Sequence, residues 1–153
     1  MKKKTVLLFT LIFTSILAYS QENKPIGTWK VISIDNGELY YNQKNDMFTI
    51  HEKFKDEFGS DIELTKTIIK MTYGETVFVF DKENNYIQKS QLAEFKLKYK
   101  INSKKLKILL FDKENINKKN NTTEIKYHFN NNILILDFSE GDMQMKFELE
   151  KQI

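Results

Sequence analysis

The sequence contains no cysteine and no arginine, and it has one proline and five glycines among 153 residues. Without cysteine there is no disulfide framework, no thiolate zinc site, no thiol nucleophile and no lipid-bearing thiol. The fold must therefore be held by its core. Without arginine all 24 basic residues are lysines, and the planar fork that reads phosphates and base edges in bidentate fashion is missing. Scarce proline and glycine leave few obligatory breaks, so turns have to be sought in Asn, Asp and Ser as well.

Long apolar runs are equally scarce. The chief one, residues 6–17, follows Met1-Lys2-Lys3-Lys4 and precedes the small-residue stretch Ala18-Tyr19-Ser20. A basic start, a short apolar segment and small residues before Gln21 predict a secretory signal peptide over residues 1–20, with a single domain over 21–153. The location this implies is periplasmic or extracellular, with no stable membrane anchor after cleavage. The leader also carries the charge excess. The formal net charge is +3, and losing Lys2, Lys3 and Lys4 leaves 21 basic against 21 acidic residues. A neutral mature chain gives no electrostatic reason to expect a nucleic-acid partner.

What is present begins with residues 26–34, Ile-Gly-Thr-Trp-Lys-Val-Ile-Ser-Ile, a first strand bearing the only Trp. Alternation puts Gly27, Trp29, Val31 and Ser33 on one face, with Ile32 and Ile34 on the other. After an Asn36-Gly37 turn, Met47, Ile50, Phe54 and Phe58 recur at spacings of three and four, which predicts a helix ending at Gly59. A second helix is expected from Ser60, which forms a capping-box spacing with Glu63, to Gly74. Its face would be Ile62, Thr65, Ile68, Ile69 and Thr72, and its β-branched content leaves a strand as the alternative.

From Glu75 the period changes to two. Val77 and Val79 alternate with Phe78 and Phe80, Phe95, Leu97, Tyr99 and Ile101 with lysines, and Ile125, Tyr127 and Phe129 with polar residues. Phe147 and Leu149 do the same in the last strand. About eight strands joined by short turns make an up-and-down meander. Closing it into a barrel removes the edges that invite aggregation. The expected fold is all-β with a short helical insertion, an eight-stranded antiparallel barrel with helices between its first and second strands. Val31, Phe78, Phe80, Phe95, Leu97, Tyr99, Tyr127, Phe129 and Phe147 are the expected inward set. The stretch Phe80-Asp81-Lys82-Glu83-Asn84 recurs at residues 111–115, and ordinary turn chemistry accounts for both copies.

Gly27-x-Trp29 on the first strand after a secretion signal, and Gly74-Glu-Thr-Val-Phe-Val-Phe-Asp running on to Tyr86, resemble the lipocalins and bacterial lipocalin-like domains. The resemblance spans residues 21–153 and implies a barrel that binds a small hydrophobic molecule. Gly27 and Trp29 would be its structural motif. Lipocalins set an Arg against that Trp; here Lys146 or Lys151 would have to stand in, and the Thr-Asp motif of a later loop is absent.

Few residues invite reaction chemistry. His51 and His128 are the only histidines, and His51-Glu52 lacks the second His of a zinc helix. Asp56, Glu57, Asp61 and Glu63 cluster where helix ends ordinarily hold acids. Gly-rich phosphate loops, nucleophile elbows and catalytic carboxylate pairs are not found. The expectation is therefore no enzyme, no catalytic residue, no metal and no cofactor. Two functions stay open: a hydrophobic ligand held among the inward aromatics, or a filled barrel that meets a protein partner through the Tyr40-Tyr41 loop or the helical segment.

Overall fold

A computed structural model of the protein describes residues 24–58, 61–112, 122–139, 141 and 143–152. The expected leader, Gly59 as the stop of the first helix, Ser60 of the capping box and most of the second Phe-Asp-Lys-Glu-Asn copy lie outside them. Ten strands form one antiparallel sheet: β1 (Gly27–Asp35), β2 (Leu39–Asn42), β3 (Met47–Ile50), β4 (Val77–Phe80), β5 (Asn85–Lys89), β6 (Glu94–Asn102), β7 (Lys107–Phe111), β8 (Thr122–Asn130), β9 (Ile133–Asp137) and β10 (Lys146–Lys151). From β4 to β10 each strand pairs with the next in sequence. β1 then pairs with β10 on one side and β4 on the other, which closes an eight-stranded barrel of β1 and β4 to β10. The up-and-down expectation holds, because short turns leave sequential strands no other neighbours.

Turn chemistry is visible at the β4–β5 connection. The Asp81 carboxylate accepts hydrogen bonds from the backbone N–H groups of Glu83 and Asn85, both at 2.8 Å. The hydrogen bond from the Asn85 side chain, then these backbone bonds and the nearby Lys98 charge, hold Asp81 below the usual carboxylate range. Asn84 and Asn131 take the left-handed backbone region, with φ of 63° and 53°, as short polar side chains do most readily in tight turns.

β1 departs from the expected alternation. Val31 pairs with Leu149 and Ser33 with Glu148, so two steps on β1 match one on β10 and Ile32 is the extra residue of a bulge. Trp29 and Val31 face the core before the bulge, and Ile34 faces it afterwards. Ser33 instead donates to Glu148 Oε2 at 2.7 Å. The extra residue also changes partners on the other edge. The first half of β1 pairs with β4, and the second half, Ser33 to Asp35, pairs with β2.

The helix expected over residues 47–58 is corrected in its first part. Met47–Ile50 is strand β3, paired with β2 through Leu39 and Ile50 and through Tyr41 and Phe48. Met47 and Ile50, three apart, satisfy either period, and the partner strand decides. A 3-10 turn, Glu52–Phe54, and a short helix α1, Lys55–Phe58, follow. Helix α2 runs from Ile62 to Tyr73, as a helix and not the alternative strand. Its threonines are accommodated because the hydroxyls of Thr65, Thr67 and Thr72 donate back to carbonyls one turn earlier. The helices do stand between the first two barrel strands, but an unexpected hairpin, β2–β3, precedes them.

Helix α2 is fastened to that hairpin by charge. Asp46, in the β2–β3 turn, accepts from Lys66 at 2.6 Å and Lys70 at 2.7 Å. Hydrogen bonds from the two lysines lower the Asp46 pKa to about 2. A depressed folded-state pKa means stability that is complete above the unfolded value of 3.8 and is lost as pH falls through about 2. Hydrogen exchange of the α2 amides is therefore expected to speed up across that acidic window in the wild type. In Asp46→Asn exchange should already be fast at neutral pH. Identical exchange in the two proteins at neutral pH would show that the fastening does not hold the helix.

Candidate functional site

The barrel runs between two ends of different character. One end carries residues 24–26, the β4–β5, β6–β7 and β8–β9 turns and the last residues of β10. The other carries the C-terminus of α2 and the β5–β6 and β9–β10 connections.

Among the inward set, Val31, Phe78, Phe80, Tyr99, Tyr127 and Phe147 are buried. Leu97 and Phe129 are half-buried and packed against them. Phe95 is the exception, and its inward place is corrected. It shares the parity of Leu97 and Tyr99, yet lies at the rim beside the β5–β6 turn and is 57% exposed. Parity fixes a face, whereas strand stagger fixes the height along the barrel.

The half-buried Tyr73 and the buried aromatics touch one another in a continuous row. Ring centroids are 5.7 Å apart for Tyr73 and Phe147, 5.3 Å for Phe147 and Phe78, and 6.2 Å for Phe78 and Tyr86. The row continues at 5.3 Å from Tyr86 to Phe80 and again from Phe80 to Tyr99. Such separations are those of packed aromatic pairs. The row spans the interior from the helix end to the opposite end, where the Tyr99 hydroxyl donates to the Asp81 carbonyl at 2.6 Å. Midway, the Tyr86 hydroxyl donates to Gln88 at 2.9 Å, and burial pushes its pKa well up, so it stays a neutral donor. Among the described residues no buried side-chain polar atom lacks a hydrogen-bond partner.

Gly27 and Trp29 close the end opposite the helix. The indole N–H donates to the Pro25 carbonyl at 2.8 Å, and the ring packs on Phe129 at 5.8 Å. Of the two lysines considered for the arginine's place, Lys151 takes it, with its Nζ 5.7 Å from the Trp29 ring centre. Gly27 has φ of 135°, and a Cβ there would sit 2.9 Å from Lys151 Cε. That backbone favours glycine, and any larger residue would also push the end of the Lys151 side chain aside.

Two recesses near this packing bear on where a ligand could sit. A recess of about 160 Å³ beside β1, β2 and the end of α2 is too narrow for a water molecule. An open cleft of about 770 Å³ lies at the Trp29 end, between the β4–β5 turn and the end of β6. Its walls include Lys24, Lys82, Lys98 and Lys100, with Ile101 and Phe111 as apolar surface and the edge of the almost fully buried Tyr99. The shared lysine face was legible as the polar side of β6. Its meeting with Lys82 was not, because that requires the strands to be paired.

The helix end is apolar instead. Leu64, Ile68 and Met71 form an exposed stripe on α2, and Leu92, Phe95 and Met143 are exposed on the connections at the same end. Of the sequence-expected helix face, Ile69 alone is buried, while Ile68 points to solvent. Tyr41 is buried and Tyr40 half-buried within β2, which removes Tyr40-Tyr41 as a projecting loop. His51 is held 3.0 Å from Asp35, and His128 is exposed on the outer face of β8. No cluster of potential metal ligands occurs among the described residues. Nor is any helix among them long and apolar enough to cross a membrane.

No family model matches the chain. No curated protein matches it either. Its fold is similar to the crystal structure of a DUF4847 family protein from Bacteroides vulgatus ATCC 8482, with a TM-score of 0.51 and 12% sequence identity. The match covers 83% of this chain and 94% of that one. At that identity the likeness extends to the barrel architecture.

Proposed function

We propose that this chain is an exported, non-enzymatic barrel that recognises its partner on its outer surface and holds no hydrophobic molecule inside. The observation that carries this reading is the aromatic row from Tyr73 to Tyr99, whose rings occupy the volume an apolar guest would need. A calyx for a drug-sized molecule needs roughly 300 Å³ or more of enclosed space. Admitting one would require Phe78, Phe80 or Phe147, all nearly inaccessible, to leave low-energy packing at a cost of about 1 to 3 kcal/mol each. Export rests on the basic and apolar start of the sequence, and the absence of reaction chemistry on the lack of any motif that would supply it.

Native mass spectrometry of the chain purified from its own host tests both parts together. The expected mass begins at or near Gln21 and carries no stoichiometric apolar adduct. An intact Met1 would remove the export reading. One equivalent of a retained lipid-like molecule would return the binding site to the interior.

A further inference from the structure

We propose that the cleft at the Trp29 end is a binding site for a small amphiphilic anion, a molecule with one carboxylate or sulfonate on an aromatic or aliphatic body. The inference rests on the reading that recognition occurs outside the filled barrel. It stands on three features of the cleft. The first is size, since about 770 Å³ of open space falls in the range that accommodates a drug-sized ligand.

The second feature is charge. Lys24 precedes β1, Lys82 projects from the β4–β5 turn, and Lys98 and Lys100 project from β6, so four cations border one space. Among the described residues neither Lys82 nor Lys100 forms an ion pair. Lys98 donates to the neutral side chain of Asn85 and lies near enough to the Asp81 carboxylate to help hold that acid ionised. Two acids, Asp81 and Glu83, stand against these cations. Asp81 is engaged with its own turn and with Asn85, and Glu83 is exposed at the border. In a chain whose mature charge balances, a local excess of this kind draws anions.

The third feature is the apolar surface between those cations. Tyr99 is fixed by its hydroxyl bond to Asp81, and Ile101 continues the β6 inner face beyond the point where β5 begins. Phe111 adds a half-buried ring from β7. A ligand with an apolar body could lie on Ile101 and Phe111 while its charged group faces the lysines. A purely apolar guest would leave the cations unserved, and a purely ionic one would gain nothing from the rings.

The test uses two fluorescent probes of matched shape on the mature full chain. 8-Anilino-1-naphthalenesulfonate carries the anionic group, and N-phenyl-1-naphthylamine lacks it. Saturable binding of the sulfonate, with backbone amide shifts confined to the Asn84 and Lys98–Ile101 region, is the expected result. In the double variant Lys82→Gln, Lys100→Gln its affinity should fall about fivefold, the scale of two exposed charges, and the neutral probe should be weak throughout. Both replaced side chains are exposed, and an unchanged denaturation midpoint would establish that the variant folds. No saturation by the sulfonate would overturn the site while leaving the filled barrel intact. Amide shifts at Leu64, Ile68 and Leu92 would overturn it in favour of the apolar helix end. One equivalent of the neutral probe bound inside the barrel would overturn the site and the outer-surface reading together.

Discussion

Phe78→Ala is expected to remove about 3 to 5 kcal/mol of stability, the range for deleting a large buried aromatic side chain. Phe78 is inaccessible to solvent and stands at the junction of the row, touching Phe147 at 5.3 Å and both Phe138 and Tyr86 at 6.2 Å. Its strand lies against β1 with Phe78 opposite Trp29, so the cavity left by truncation opens beside the closing strand. Neighbouring rings on fixed strands can relax into such a gap only in part, which places the loss toward the upper end. Against a typical total of about 5 to 15 kcal/mol, one substitution of this size leaves a marginal domain. Urea unfolding with a shared slope for wild type and variant measures it. A loss under about 1 kcal/mol would mean that the interior is loosely filled, and would reopen the barrel to a ligand.

A comparable loss, again about 3 to 5 kcal/mol, is expected for Trp29→Ala. The side chain is 3% exposed, packs on Phe129 and lies beneath Lys151. Its N–H also ties residues 24–26 to the barrel through the Pro25 carbonyl. Trp29→Phe separates the two contributions. It keeps most of the apolar contact and loses the hydrogen bond, worth about 1 kcal/mol net. Unfolding midpoints ordered wild type, Trp29→Phe, Trp29→Ala would fit this division. Equal midpoints for wild type and Trp29→Ala would make the tryptophan a peripheral residue and its resemblance to a lipocalin motif accidental.

The sequence by itself determined the strand count of the barrel, its antiparallel meander and most of its core. Those properties follow from local period and turn residues: Phe78 and Phe80 alternate within four residues, and Asp81 to Asn84 supply the chemistry of their own turn. Glycine at position 27 beside Trp29 likewise announced a closing strand, although only the fold chose Lys151 over Lys146 to cross it. Four other features required the paired sheet. The bulge at Ile32 turns Ile34 inward because β10 advances one residue where β1 advances two, a mismatch no single strand displays. β3 became a strand because β2 offered it partners, where spacing alone fitted a helix. Phe95 is exposed because strand stagger sets it at the rim, and alternation carries no information about height. The choice between a hollow and a filled barrel is a question of volume. Nine inward residues read from the sequence give a list of side chains, and only their three-dimensional arrangement shows which rings meet one another and that a lysine-bordered cleft opens at the Trp29 end.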